Sequence, residues 1–217
     1  MASISNDEQP AIVLDHLMHQ DDTGLSRVDM VIDDEGHTIL HWAANLSRIP
    51  LMEALVDAGA DIHRGNNAGE TPLIRSILSS AAFLAQSLPR ILKLLFGSMR
   101  TVDLLSRSVL HHVALVAGVK TRAPCARYYM ECILEHVARN GGAEGLRRIV
   151  DLQDLHGDTA LNLAARVGNR SLVRNLIDVG ANTLLANKLG LQPGDFGIED
   201  EVSCRPKTQP PTSHRHH

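Results

Sequence analysis

The sequence predicts an all-α solenoid of stacked helical repeats, and three observations carry that prediction. Aromatic residues make up only 3% of the chain while Leu and Ala are abundant, a bias that suits helix packed on helix better than a sheet sandwich. A stretch of text recurs: Asp33-Asp-Glu-Gly-His-Thr-Ile-Leu-His-Trp-Ala-Ala44 and Leu55-Val-Asp-Ala-Gly-Ala-Asp61 return as Asp154-Leu-His-Gly-Asp-Thr-Ala-Leu-Asn-Leu-Ala-Ala165 and Leu176-Ile-Asp-Val-Gly-Ala-Asn182. Gly36 to Gly69, and Gly157 to Gly190, are each 33 residues apart, and self-similarity at such a period marks a repeat array. One unit cannot bury its own apolar face, so stability must come from stacking.

Taken from the N-terminus, residues 1–10 are polar and acidic and are expected to be disordered. Residues 11–32, with Ile12, Leu14, Leu17 and Met18 on one side, read as an N-terminal capping helix. The regular repeats then open with Asp or Asn three residues before Gly, which suits a tight turn with positive φ. Thr38, Thr71 and Thr159 follow as N-caps whose hydroxyls can accept an orphan backbone N–H. The Leu and Ala residues after them offer a large and then a small side chain to neighbouring helices, and the Gly of Gly-Ala-Asp or Gly-Ala-Asn ends the second helix.

The second unit, from Asn66-Asn-Ala-Gly, lacks the usual His and paired alanines, and the third opens at Ser108-Val-Leu-His-His without a preceding Gly. Thr71 to Ser108 spans 37 residues and Ser108 to Thr159 spans 51, so insertions are expected near 78–90 and 118–152. Within the latter, Pro124 to Gly141 predicts one long helix, with Pro at its start and Gly at its end. Tyr129, Cys132, Ile133, His136 and Val137 should face the core, and Glu135 and Arg139 should form an exposed i, i+4 pair. Asn187 to Asp195 is a partial fifth unit, and the polar, proline-containing residues 199–217 are expected to be disordered. Period and motif are those of ankyrin repeats. The prediction is therefore an ankyrin-repeat solenoid of four to five irregular repeats over residues 33–198, with inserted helices.

Composition narrows function. A formal charge of -4 with pI near 6.3 does not fit a nucleic-acid binder, which needs a concentrated excess of Lys and Arg. The first 36 residues hold nine acids and one base, Arg27, whereas residues 100–150 hold eight bases and four acids. Cys125, Cys132 and Cys204 lack a metal-binding spacing and read as free thiols. His41 and His111 are expected to be buried hydrogen-bonding residues that tie one repeat turn to the next, leaving His112 able to face solvent. The motifs His-Glu-x-x-His, Gly-x-x-x-x-Gly-Lys and Gly-x-Ser-x-Gly are missing. No catalytic residue, metal site or cofactor is predicted, and the chain reads as a scaffold rather than an enzyme.

Several elements carry a more specific likeness. Asp33 to Ala44, Ser108-Val-Leu-His-His, Ala126-Arg-Tyr-Tyr-Met, Asp158 to Asn169 and Ala186-Asn-Lys-Leu-Gly-Leu-Gln-Pro-Gly-Asp-Phe-Gly197 together resemble the ankyrin domain of fungal cell-cycle box-binding transcription factors, the subunits of the MBF and SBF complexes. The likeness covers residues 11–197. It implies a nuclear protein–protein interaction module in a regulator of the G1/S transition, whose partners are other transcription factor subunits or regulatory proteins. In that family one subunit carries a DNA-binding domain and a helical region joins subunits; this sequence shows neither, so DNA would be reached only through a domain outside it. The alternative is a cytoplasmic ankyrin adaptor or inhibitor unrelated to transcription. The residues picked for partner contact are Arg64, Asn67, Arg100, Arg107 and Lys188 near inter-repeat tips, with Lys120 and Arg122 in the inserted loop. The domain alone is expected to be monomeric and to bind no membrane.

Overall fold

The computed structural model describes residues 27–197, and among these the backbone is helical apart from turns and one isolated antiparallel bridge, Val31 to Thr38. The first repeat contributes α1 (Ile39–Asn45) and α2 (Ile49–Asp57). The second contributes α3 (Pro72–Leu78), α4 (Ala81–Leu84) and α5 (Leu88–Leu95). The third contributes α6 (Val109–Ala117) and α7 (Ala123–Val150), and the fourth α8 (Ala160–Arg166) and α9 (Arg170–Asp178). A 3-10 turn, Pro193–Phe196, takes the place of a fifth inner helix. The inner row α1, α3, α6, α8 and Pro193–Phe196 packs each member on the next, as does the outer row α2, α5, α7, α9. This is an all-α ankyrin solenoid.

The stack is built from equivalent positions. Leu40, Leu73, Leu110 and Leu161, seven residues after Asp33, Asn66, Asp103 and Asp154 respectively, are fully buried, contributing about 1.5–3 kcal/mol apiece. Ala43, Ser76, Val113 and Ala164 follow three residues later as small buried side chains that let neighbouring inner helices approach. In the outer row, α5 buries Leu88, Ile91, Leu92 and Leu95 and exposes Arg90 and Lys93, the i, i+3, i+4, i+7 stripe of a one-sided helix. Outside the third repeat, where Gly118 has φ -67, the chain reverses between inner and outer helices through a residue with positive φ. That residue is Gly168 in the fourth repeat, but Ser47 (φ 55) in the first and Gln86 (φ 51) in the second, where a side chain costs about 1–2 kcal/mol. The Ser47 and Ser87 hydroxyls then bond one another across the first two repeats.

The two insertions meet. The inner helix of the second repeat breaks at Ser79, which is extended at ψ 161, and resumes as α4. Tyr129, fully buried on α7, bridges that break: its hydroxyl donates to the Ser79 carbonyl at 2.7 Å and accepts the Phe83 N–H at 3.2 Å. Arg122 donates to the Ile77 carbonyl at 3.2 Å, and Phe83 packs edge-on against Tyr128. The backbone groups freed by one insertion are thus satisfied by the other. Helix α7 has Pro124 in its first turn and is interrupted at Gly142, whose φ of 58 and ψ of -160 are not helical. Tyr129, Ile133 and Val137 are buried, while Cys132 and His136 lie on the flank and are half-buried. Glu135 and Arg139 pair at 2.6 Å on the exposed side.

Residues 11–26 of the expected capping helix, residues 1–10 and the tail from 198 lie outside the described residues. Over 27–32 the expectation needs correction, because Arg27–Asp29 is a 3-10 turn and Val31 is extended. The Ile32 N–H donates to the His37 carbonyl at 2.8 Å, and that closure requires an extended entry to the turn. Asp29 instead accepts the Asp61 N–H at 3.0 Å, as Asp151 accepts the Asn182 N–H at 2.8 Å in the fourth repeat.

Candidate functional site: inter-repeat tips and inner face

Five side chains organise the tips: Asp33, Asn66, Asp103, Asp154 and Asn187. In each, one side-chain oxygen accepts the backbone N–H groups two and four residues on, at 2.8–3.0 Å. This is an Asx-type turn closed twice. The third of these turns has no glycine three residues after its anchor, and Ser106 adopts the positive φ, 58°, in its place. Neighbouring tips are joined by a backbone ladder. Asn67, Leu104, Leu155 and Lys188 donate their N–H groups to the carbonyls of Glu35, Ala68, Leu105 and His156 at 2.9–3.0 Å. The approach is close enough that a Cβ on Gly69 would lie 2.6 Å from the Leu104 nitrogen.

A second tie runs behind the tips. His41 Nδ1 accepts the Thr38 N–H at 3.1 Å, and its Nε2 meets the Glu70 carbonyl of the next repeat at 3.0 Å. His111 repeats this with the Ser108 N–H at 3.1 Å and the Asp158 carbonyl at 3.0 Å. Both contacts require the neutral tautomer protonated on Nε2. Burial holds both imidazoles below their ordinary pKa, His41 at about 4, although each carbonyl contact pulls the other way. In the fourth repeat Asn162 does the same work: Oδ1 accepts from the Thr159 hydroxyl at 2.5 Å, and Nδ2 reaches the Leu185 and Leu191 carbonyls at 3.3 and 3.2 Å. In the second repeat the position is Ile74 and the tie is missing. The hydroxyls of Thr71 and Thr159 accept the N–H of Ile74 at 3.4 Å and of Asn162 at 3.1 Å. The Thr38 hydroxyl also meets His41 Nδ1, 2.9 Å away, as the Thr159 hydroxyl meets Asn162 Oδ1.

The remaining oxygen of each acidic anchor takes a side-chain donor. Asp33 Oδ2 accepts Trp42 Nε1 at 2.8 Å and meets His37 Nδ1 at 2.9 Å. Burial works against the Asp33 carboxylate, but the His37 N–H, Trp42 and the His37 ring outweigh it and keep the group well below the usual carboxylate range. Asp103 Oδ2 takes His112 Nε2 at 2.9 Å. His112 is therefore buried rather than turned to solvent: it stands nine residues after its anchor, as Trp42 does, and the anchor's second oxygen needs a donor there. Burial lowers the His112 pKa in spite of Asp103. Asp154 receives Arg107 at 3.5 Å, and buried Asp158 holds both Arg166 and Asn187. Between the first two repeats, a recess lined by His37, His41, Trp42, Asn45 and Arg75 has no room for a water molecule. Among the described residues no group of three or more His, Cys, Asp or Glu side chains is placed to hold a metal ion, and no described helix is long and apolar enough to cross a membrane.

The residues picked for partner contact fall in two places. Arg64 and Arg100 are exposed on the segments entering the second and third tips, and Lys188 is exposed at the fifth. Asn67 is exposed but tied to the first tip, its Nδ2 donating to the Asp34 carbonyl at 2.9 Å. Arg107 is half-buried and engaged with Asp154. Lys120 and Arg122 lie in a 3-10 turn at the opposite end of α6 from its tip, and Arg122 is engaged with Ile77. The sequence reading did not pick the exposed leucines of tips three to five, Leu104, Leu105, Leu155 and Leu189; the register that places them emerges only when Asp103 is recognised as an anchor without its glycine.

Residues 40–96 match the family described as ankyrin repeats (many copies), and residues 156–188 the family described as ankyrin repeat. Transcription factor SWI6 of Pyricularia oryzae is 40% identical over 210 residues, covering 84% of this chain and 24% of the relative. Start control protein cdc10 of Schizosaccharomyces pombe is 41% identical over 177 residues, covering 79% of this chain and 23% of the relative. The chain thus spans about a quarter of the length of these curated relatives. Among solved structures, the S. cerevisiae Swi6 ankyrin-repeat fragment superposes with a TM-score of 0.75 at 28% identity, covering 88% of this chain and 80% of that one. Matched over most of its length by these relatives and by the solved fragment, the chain is an ankyrin-repeat domain of the kind found in the fungal SWI6 and cdc10 transcription factors.

Proposed function

We propose that this domain is a non-catalytic protein–protein interaction module in a fungal complex that regulates transcription at the G1/S transition, acting in the nucleus with other transcription factor subunits or regulatory proteins as its partners. One observation carries the reading: relatives named as transcription factors and as a start control protein align across most of this chain. The physical design agrees with it. The buried Asp, Asn and His side chains of the tips are consumed by anchors and inter-repeat ties, and what is left for recognition is a rigid row of tips beside an inner helical face. Any contact with DNA is assigned to regions outside this segment. Deleting residues 27–197 from the parent gene and following G1/S transcripts in synchronised cells tests the proposal. Loss of periodic expression with the shortened protein still present is the expected result; unchanged periodic expression would refute it.

A further inference from the structure

The tip row changes character along its length. The exposed residues just after each anchor are Asp34 and Glu35 in the first repeat and Asn67 and Ala68 in the second. They become Leu104 and Leu105, then Leu155 and His156, then Lys188 and Leu189. Leu104 is 69% exposed, Leu155 48% and Leu189 81%. The ladder makes these neighbours, because Leu155 donates its N–H to Leu105 and Lys188 to His156, each at 2.9 Å. The acids of this region, Asp103, Asp154 and Asp158, are buried and paired. What faces outward at these three tips is a line of leucines ending beside an exposed Lys188.

We propose that the tips of repeats three to five form a docking ridge for an amphipathic α-helix of a partner protein, with an apolar residue every seventh position and acidic residues at the end lying over Lys188. The spacing argues for a helix. Repeats whose inner helices pack side by side advance by about 8–10 Å, and seven residues of α-helix rise about 10.5 Å, so one apolar residue per heptad meets one leucine tip per repeat. Charge sets the direction: an acidic end is drawn to Lys188 and repelled from Asp34 and Glu35 at the far end of the row. The ridge goes beyond the proposed function, since it specifies the shape and charge of a ligand and holds whichever complex the domain serves.

The full 217-residue chain is titrated against a fluorescent synthetic helix carrying leucine at every seventh position and glutamates at one end, and against a peptide of the same composition with its leucines scattered round the helix. Saturable binding at least about ten-fold stronger for the striped peptide is expected, each tenfold being the ordinary unit of affinity discrimination. Leu104→Asp, Leu155→Asp and Leu189→Asp should each weaken it several-fold with unchanged melting, and Lys188→Glu should weaken it while Asp34→Asn does not. No saturation up to about 1 mM, equal binding of the two peptides, or indifference to the leucine variants would overturn the proposal. So would sedimentation showing that the ridge is covered by a second copy of the chain and released by Leu155→Asp.

Discussion

Replacing His41 by Asn and by Ala separates the roles assigned to its ring. In the folded chain the ring accepts the Thr38 N–H at 3.1 Å and contacts the Glu70 carbonyl at 3.0 Å, at 1% exposure. Ala strands the buried Thr38 N–H, while the Glu70 carbonyl keeps the Asn66 N–H at 3.0 Å; at about 1–3 kcal/mol for a stranded group the loss comes to about 2 kcal/mol, or roughly 4–8 °C of melting temperature for a domain of this size. Asn keeps an acceptor and a donor in the same order, as Asn162 does in the fourth repeat with slightly longer contacts of 3.2–3.3 Å, so about 1 kcal/mol is lost. The pH dependence has a definite sign. His41 titrates at about 4 when folded and at 6.5 ordinarily; above 6.5 both states are neutral. As pH falls below 6.5 only the unfolded chain takes up the proton, and stability drops by about 1.4 kcal/mol per pH unit until the folded group titrates near 4. His41→Asn lacks this slope, so it should be less stable than the native chain at pH 7 and at least as stable near pH 5. Urea unfolding followed by circular dichroism across this range is the assay. An Asn variant as unstable as the Ala variant at pH 7, or one keeping the native pH slope, would refute the reasoning.

Tyr129→Phe removes the hydroxyl that joins Ser79 and Phe83; a loss of about 1–3 kcal/mol is expected, with faster hydrogen exchange at α4 and at the N-terminal half of α7. Gly69→Ala and Gly180→Ala both force Ala to positive φ, 80° and 92°, but only the first places a Cβ against backbone, 2.6 Å from the Leu104 nitrogen. Thermal melts should show a cost of about 1 kcal/mol for Gly180→Ala and at least about 2 kcal/mol for Gly69→Ala. Ser106→Gly relieves a left-handed serine and should raise stability by up to about 1 kcal/mol.

The sequence reading succeeded where one repeat can be laid over another. Thr-x-Leu-His, Gly-Ala-Asp and the 33-residue period are local chemistry that any equivalent turn needs, so they repeat in print. The reading faltered where the same job is done by a different residue. Ser106 carries the positive φ of a glycine, Asn162 carries the bonds of a histidine, and Gln86 reverses the chain where Gly168 does so elsewhere. Without that glycine nothing local marks Asp103 as an anchor, nor the burial of His112 and the run of exposed leucines that follow from it. The coupling of the two insertions was also hidden, because Tyr129 and Ser79 are 50 residues apart and nothing in either local sequence names the other. Arg107 and Arg122 looked like free cations in a list of charges, whereas the fold turns one to Asp154 and the other to the Ile77 carbonyl.

The claim that this stack is a recognition surface in a transcription complex is met most directly by affinity capture from fungal nuclear extract with the full chain as bait, read by quantitative mass spectrometry beside a chain carrying Leu104→Asp and Leu155→Asp. Enrichment of cell-cycle transcription regulators by the native chain is the predicted result, reduced by the double variant where the tips form the contact. Recovery of cytoplasmic proteins alone, or of nothing above background, would contradict it.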